Sequence, residues 1–149
     1  MTHPLTLCDD ACMTEAKSIQ EVFDHITSSL LVQGRKSKSD DSWQCRYQGA
    51  MGDKCAVGHC IPDDMYSPNL EGATVFRPKI WAATIPFTGW DDVQNDGYLF
   101  VNSKDERVRF MGDMQYIHDQ CNVWDWPDHF ERIASEYNLT FTHTKEVAR

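Results

Sequence analysis

Apolar residues recur at Ile19, Val22, Phe23, Ile26 and Leu30, the spacing of one face of an α-helix. Ser18-Ile19-Gln20-Glu21 in front of them is a capping-box sequence, and Gly34 behind them is a residue that accepts the left-handed stop conformation. The pattern predicts a helix over residues 19–33. A second capping-box sequence, Ser103-Lys104-Asp105-Glu106, precedes Val108, Met111, Met114, Ile117 and Cys121, and predicts a helix over 104–120. Pro127 suits a first helical turn, Phe130, Ile133, Ala134 and Tyr137 share a face, and Asn138 can stop the chain; these predict a helix over 127–137. Between the first two helices the pattern changes. Trp43, Cys45 and Tyr47 alternate with Gln44, Arg46 and Gln48, as in a short strand. Residues 49–53 have turn composition, and 54–58 are equally readable as a returning strand or a short helix. Residues 61–72, punctuated by Pro62, Pro68 and Gly72, read as irregular. Residues 80–87 and 98–101 read as strands, separated by turns at Gly89 and Asn95-Asp96-Gly97.

These elements, with no repeat among them, predict a single α+β domain over residues 1–149: three helices packed on a small antiparallel sheet drawn from residues 43–57 and 73–102. Residues 1–13 show no period and read as a loosely held arm.

The chain has 149 residues, 41% of them hydrophobic and 25% charged, as expected of one globular domain. Asp and Glu number 23 against 14 Lys and Arg, a formal net charge of -9. That charge repels phosphate backbones and argues against extended nucleic acid as a partner, while leaving open a basic protein. The longest apolar runs span three or four residues (Leu30-Leu31-Val32, Ile80-Trp81-Ala82-Ala83), far short of the roughly 18 to 20 that cross a bilayer. No secretory signal is recognisable at the start. A reducing compartment is therefore expected, with the six cysteines as thiols, no disulfide framework and no cofactor.

One long motif stands out: Cys45-Arg46-Tyr47-Gln48-Gly49, then Lys54-Cys55-Ala56-Val57-Gly58-His59-Cys60-Ile61-Pro62-Asp63-Asp64, then Met65-Tyr66-Ser67-Pro68-Asn69-Leu70-Glu71-Gly72. It resembles a group of small proteins from tailed bacteriophages and prophages that share Cys-x-Tyr-x-Gly, Lys-Cys-Ala-Val/Ile-Gly, Ile-Pro-Asp-Asp/Glu-x-Tyr-x-Pro and Glu-Gly. Phe23-Asp24, Gln33-Gly34-Arg35-Lys36-Ser37 and Met114-Gln115-Tyr116-Ile117-His118-Asp119 fit the same group, the last as its Leu-Gln-x-x-His-Asp helix. The resemblance covers residues 19–76 and 108–139; residues 77–102, rich in aromatics, depart from it. It implies a viral origin and action in the cytoplasm of an infected host, and it carries no activity.

Several groups of residues have the types that chemistry needs. Cys45, Cys55, His59 and Cys60 are zinc-ligand types, but their spacing departs from the paired arrangement of structural sites, and small core thiols are the favoured reading. Cys55 with His59 or His118 as base and Asp119 as orienting carboxylate would make a hydrolase. His118-Asp119 also has the ligand types of metal phosphohydrolases, although too little chain follows it for the rest of such a site. Asp63, Asp64 and Glu71 are hard oxygen donors suited to Mg²⁺ or Ca²⁺, with the capping of a short helical turn by Asp63 and Asp64 as the favoured alternative. Trp43, Trp81, Trp90, Trp124 and Trp126 lie mostly in segments of turn or strand character, beside Asp91, Asp92, Asp125 and Asp128, as rings do in ligand pockets and interfaces, with the filling of a small core as the alternative for some of them.

The expected site is a pocket with one wall from Asp63, Asp64, Tyr66 and Glu71, braced by His118 and Asp119, and an opposite wall from Trp81, Trp90 and Tyr98. The expected function is non-enzymatic binding in the infected host, countering defence by sequestering a nucleotide-like signal or by blocking a host protein. A small Cys/His or metal-dependent hydrolase is the alternative.

Overall fold

A computed structural model of the chain describes residues 17–39 and 44–142. The expected arm at 1–13 and Trp43 lie outside the described residues. Among the described residues the fold is α+β: four α-helices and a two-stranded antiparallel hairpin.

Helix α1, Ile19–Gln33, begins at a complete capping box. The Glu21 N–H donates to Ser18 Oγ (3.1 Å), and the Ser18 N–H donates to Glu21 Oε1 (2.8 Å). Gly34 ends it at φ 71°, its N–H bonded to the Leu30 carbonyl. Val22, Phe23, Ile26 and Leu30 form its buried face.

Residues 80–87 are not a strand. They belong to helix α2, Pro78–Thr88, which opens with a proline in its first turn and ends at Gly89, φ 70°. A short, nearly continuous apolar run does not distinguish a buried strand from a buried helix, and here Pro78 and Gly89 decide it as start and stop. Pro86 is tolerated because it lies on the exposed face, as does Ala82 four residues earlier, whose carbonyl loses a helical donor.

The sheet is smaller than expected. Strands β1, Asn95–Asp96, and β2, Phe100–Val101, pair as a hairpin with Asn95 opposite Val101. The Val101 N–H anchors it to the Phe76 carbonyl (2.8 Å). Residues 44–57 contribute isolated bridges, Lys38 with Cys45 and Gln48 with Lys54, and no strand. Helix α3, Glu106–Gln120, starts two residues later than predicted because Asp105, not Ser103, caps it, its carboxylate accepting the Arg107 N–H. Helix α4, Trp126–Glu136, has Pro127 in its first turn, and the chain leaves it through Asn138 at φ 58°.

The place the sheet was expected to hold is taken by a 3-10 turn, Val57–Cys60, against which α1, α2 and α3 all pack. Cys55, Ala56, Val57, Gly58 and Cys60 are buried. Its polar groups are met from both sides. Gln115 Oε1 on α3 accepts the Val57 N–H (2.9 Å), and His25 Nε2 on α1 donates to the His59 carbonyl (2.8 Å). Aromatic rings extend the core outward: Phe23, Phe110 and Tyr137 meet edge to face, and Trp81 stacks on Trp90 (5.9 Å between centroids, 24° between planes).

Gly58 lies directly beneath the backbone of Tyr47. A Cβ there would sit 2.9 Å from the Tyr47 carbonyl carbon and closer still to its oxygen. Gly58→Ala is expected to destabilise the protein by about 3 kcal/mol or more, because neither backbone can yield. Gly52→Ala, at a φ of 85° with open space around it, should cost only about 1 kcal/mol of left-handed strain. Urea denaturation of both variants checks the order.

Candidate functional site

The motif and the Gln-x-x-His-Asp helix meet at the end of α3. Gln115 and Asp119, one turn apart, share a helix face, and Gln115 Nε2 donates to Asp119 Oδ1 (3.0 Å). His118 is completely buried, its ring stacked on Trp126 (5.8 Å, 29°). The Ser37 backbone N–H donates to His118 Nε2 (3.0 Å), so that nitrogen carries no proton. The proton is therefore on Nδ1, which donates to Asp119 Oδ1 (2.8 Å). Cys45 completes the group: its sulfur, a His118 ring nitrogen and an Asp119 oxygen all lie within 4.8 Å of one another.

The direction of these bonds limits the chemistry. Neither nitrogen of His118 is open to take a proton from Cys45. Partial burial, the Asp119 charge and a hydrogen bond to Asp119 push the Cys45 thiol up to about 11. A nucleophilic cysteine needs the reverse, a base that accepts its proton or a positive neighbour. A metal fits no better. A cation on Nδ1 would displace the proton that Ser37 fixes there and leave the ring anionic.

Glu71 is a backbone clip. Its Oε1 accepts the Tyr47 N–H (3.0 Å), and its Oε2 accepts the Gln48 N–H (3.1 Å) and the Tyr66 hydroxyl (2.7 Å). Arg46 lies alongside, its Nε 3.7 Å from Glu71 Oε2, with its Nη2 donating to the Tyr66 oxygen. The Tyr47 hydroxyl, whose ionisation burial pushes well up, donates to the Ala73 carbonyl. Between this clip and α3 lies a cleft of about 700 Å³ whose walls include Cys45, Arg46, Glu71, Phe76, Gln115 and Asp119.

The remaining predicted residues fall elsewhere. Trp81 and Trp90 are buried and stacked on each other, the indole N–H of Trp90 bonded to the Lys17 carbonyl (2.6 Å). They are core and do not form the expected wall opposite the motif loop. Tyr98 is 98% exposed at the hairpin tip. Asp63 and Asp64 are exposed in the first turn of a 3-10 segment, Asp63–Met65, which Pro62 precedes without a side-chain cap. Asp63 pairs with Lys54 (2.9 Å). Among the described residues, no group of three ligands includes Asp63, Asp64 and Glu71, nor Cys55, His59 and Cys60.

Cys55 and Cys60 are buried thiols. Burial holds the first up at about 12 and the second higher, and the Cys55 sulfur accepts the Gly58 N–H (3.3 Å). His59 Nε2 donates to Gln33 Oε1 (3.0 Å), which also accepts the Lys54 N–H (2.9 Å). Burial, with the nearby His25, Lys54 and His118, lowers His59 to about 4.

Sequence reasoning missed the roles of Cys45 and Gln115 around Asp119, although the one-turn spacing of Gln115 and Asp119 announces a shared face. It also missed a second cavity, of about 720 Å³, between the end of α1 and Trp124. The signal for that one is the cluster Arg35-Lys36-Ser37-Lys38 in an otherwise acidic chain.

No family model matches the chain, and no curated protein or solved structure matches it. Among the described residues no helix is long and apolar enough to cross a membrane.

Two outcomes follow from the protonation states. In the native protein at pH 7.5, Cys45 and Cys55 should alkylate with iodoacetamide more slowly than free cysteine, as read by peptide mass mapping. The rate at Cys45 should climb as pH approaches 11. His59 titrates near 6.5 when unfolded and near 4 when folded, so the unfolded chain binds the extra proton. Its contribution to stability is complete above pH 6.5 and is lost as pH falls toward 4. The difference in unfolding free energy between the protein and His59→Gln should shrink over that window.

Proposed function

We propose that this chain is a non-enzymatic binding protein of phage or prophage origin, acting in the cytoplasm of the infected host by contact with a host protein. The observation that carries the reading is the hairpin tip. Tyr98, Leu99 and Phe100 are 98%, 58% and 47% exposed, three large apolar side chains in a row. A solvent-facing cluster of this kind, two of its members rich in ring area, is typical of an interface anchor.

The tip is braced rather than loose. Arg77 lies over the Phe100 ring (5.6 Å) and its Nη1 donates to the Leu99 carbonyl (3.4 Å). The Asn102 N–H closes the base of the hairpin on the Gln94 carbonyl (2.9 Å). Preorganisation of this sort lowers the entropy lost on binding. Exposed Asp91 and Asp96 nearby, with the net charge of -9, suit a partner surface with an apolar centre and a basic rim. The tip also lies in the segment where the sequence departs from the phage group it resembles, as a surface fitted to a particular host protein would.

A hydrolase draws less support. Its residues Cys55, His59 and His118 are engaged in separate internal hydrogen bonds, and the thiol is held protonated.

Tyr98→Ser with Leu99→Ser is the test. Both side chains are exposed, so the melting temperature should stay within about 2 °C of the parent. Plaque formation on a defended host, restored by the parent protein expressed in trans, should be lost with the double variant. Equal rescue by parent and variant would overturn the tip as the working surface.

A further inference from the structure

The cavity between the end of α1 and Trp124 brings together three things that small anions with a ring require. The first is charge: Arg35, Lys36 and Lys38 line one side, the densest cationic run in a chain of net charge -9. Arg35 engages Asp53 through Nε (2.7 Å), and Lys36 Nζ donates to a neutral group, the Asp119 carbonyl (3.3 Å). Lys36 lines the cavity with its ammonium held by a neutral carbonyl. Asp128 is the acidic residue of the lining.

The second is a ring platform. Trp124 is 81% exposed, an unusual cost for the largest side chain, and it is fixed on a 3-10 turn, Val123–Asp125. Asn122 caps that turn, its Oδ1 accepting the Trp124 N–H (3.1 Å). The third is an unmet donor. Trp126 lies in the wall of the same cavity, fully buried, and among the described residues its indole N–H has no hydrogen-bond partner. An orphaned buried donor costs about 1 to 3 kcal/mol, so the fold retains it against a penalty.

We infer that this cavity binds a nucleoside phosphate, the base stacked on Trp124 and the phosphates against Arg35, Lys36 and Lys38. Base stacking on an indole and charge-assisted bonds to phosphate are the two terms such a ligand needs, and about 720 Å³ falls within the range of small-ligand sites. Phosphate or a simple dianion would use the cations alone and leave Trp124 idle. An uncharged base would use Trp124 and leave the cations idle. This extends the binding-protein reading to a second surface and does not depend on the hairpin tip.

The test is calorimetric titration of the full chain at low salt with ADP, GDP and UDP, and with adenosine and pyrophosphate as the separated halves. At least one nucleotide should bind tenfold or more tightly than either half, with quenching of tryptophan fluorescence. Trp124→Ala should weaken that binding at least tenfold and leave the melting temperature of the unliganded protein unchanged, because the ring is exposed. Lys36→Gln with Lys38→Gln should weaken it as much, and raised salt should mimic the double variant. The Tyr98→Ser, Leu99→Ser protein should bind nucleotide like the parent, so that failure of the tip and failure of this cavity are read apart. The inference is overturned if no nucleotide gives a saturable heat, if pyrophosphate binds as tightly as the nucleotides, or if Trp124→Ala binds them unchanged.

Discussion

The contact between Gly58 and the Tyr47 backbone is the constraint on which the rest of the molecule depends. A residue without a side chain lets the turn at 57–60 slide under the segment carrying Cys45 and Tyr47. With that approach made, Val57 reaches Gln115, the His59 carbonyl reaches His25, and the helices close on the turn from three sides. A buried irregular segment ordinarily leaves backbone groups without partners. Here Gln115, His25 and the Cys55 sulfur satisfy them, so a turn of four residues serves as a hub that the small hairpin could not provide.

The same economy governs the side chains whose types suggest chemistry. His118 spends one nitrogen on Ser37 and the other on Asp119, and Glu71 spends both oxygens on consecutive backbone N–H groups and Tyr66. These side chains stand in for a sheet: they tie together segments that lie close without forming regular ladders. A carboxylate or imidazole used this way must be buried and fully bonded, because a partly met polar group in a core is costly. Glu71 and His118 thus tie the motif and its neighbouring segments together.

The helices at 19–33 and near 106–120 were legible because their caps and their period agree, each level pointing to the same element. Residues 80–87 were not, because eight mostly apolar residues carry no period that separates strand from helix; the information lay in Pro78 and Gly89 just outside. The union of Asp119 with Gln115 and Cys45 was half legible, through helical spacing on one side, and half hidden, since Cys45 arrives by way of an isolated bridge to Lys38. Trp81 and Trp90 misled for a general reason: an indole reads alike in the sequence whether it fills a core or a pocket. Exposure separates them from Trp124, and exposure is a property of the fold.

The hairpin tip hangs from the body through Phe76, Arg77 and Gln94, and among the described residues none of its bonds runs to the central turn. Substitutions at Tyr98 and Leu99 are thus decoupled from folding, whereas those at Gly58, Glu71 or His118 are not. Such a division sets two tempos of evolutionary change within one small chain. The interior is held nearly still by its own hydrogen bonds, while at residues 97–99 it is the partner, and not the fold, that selects the side chains.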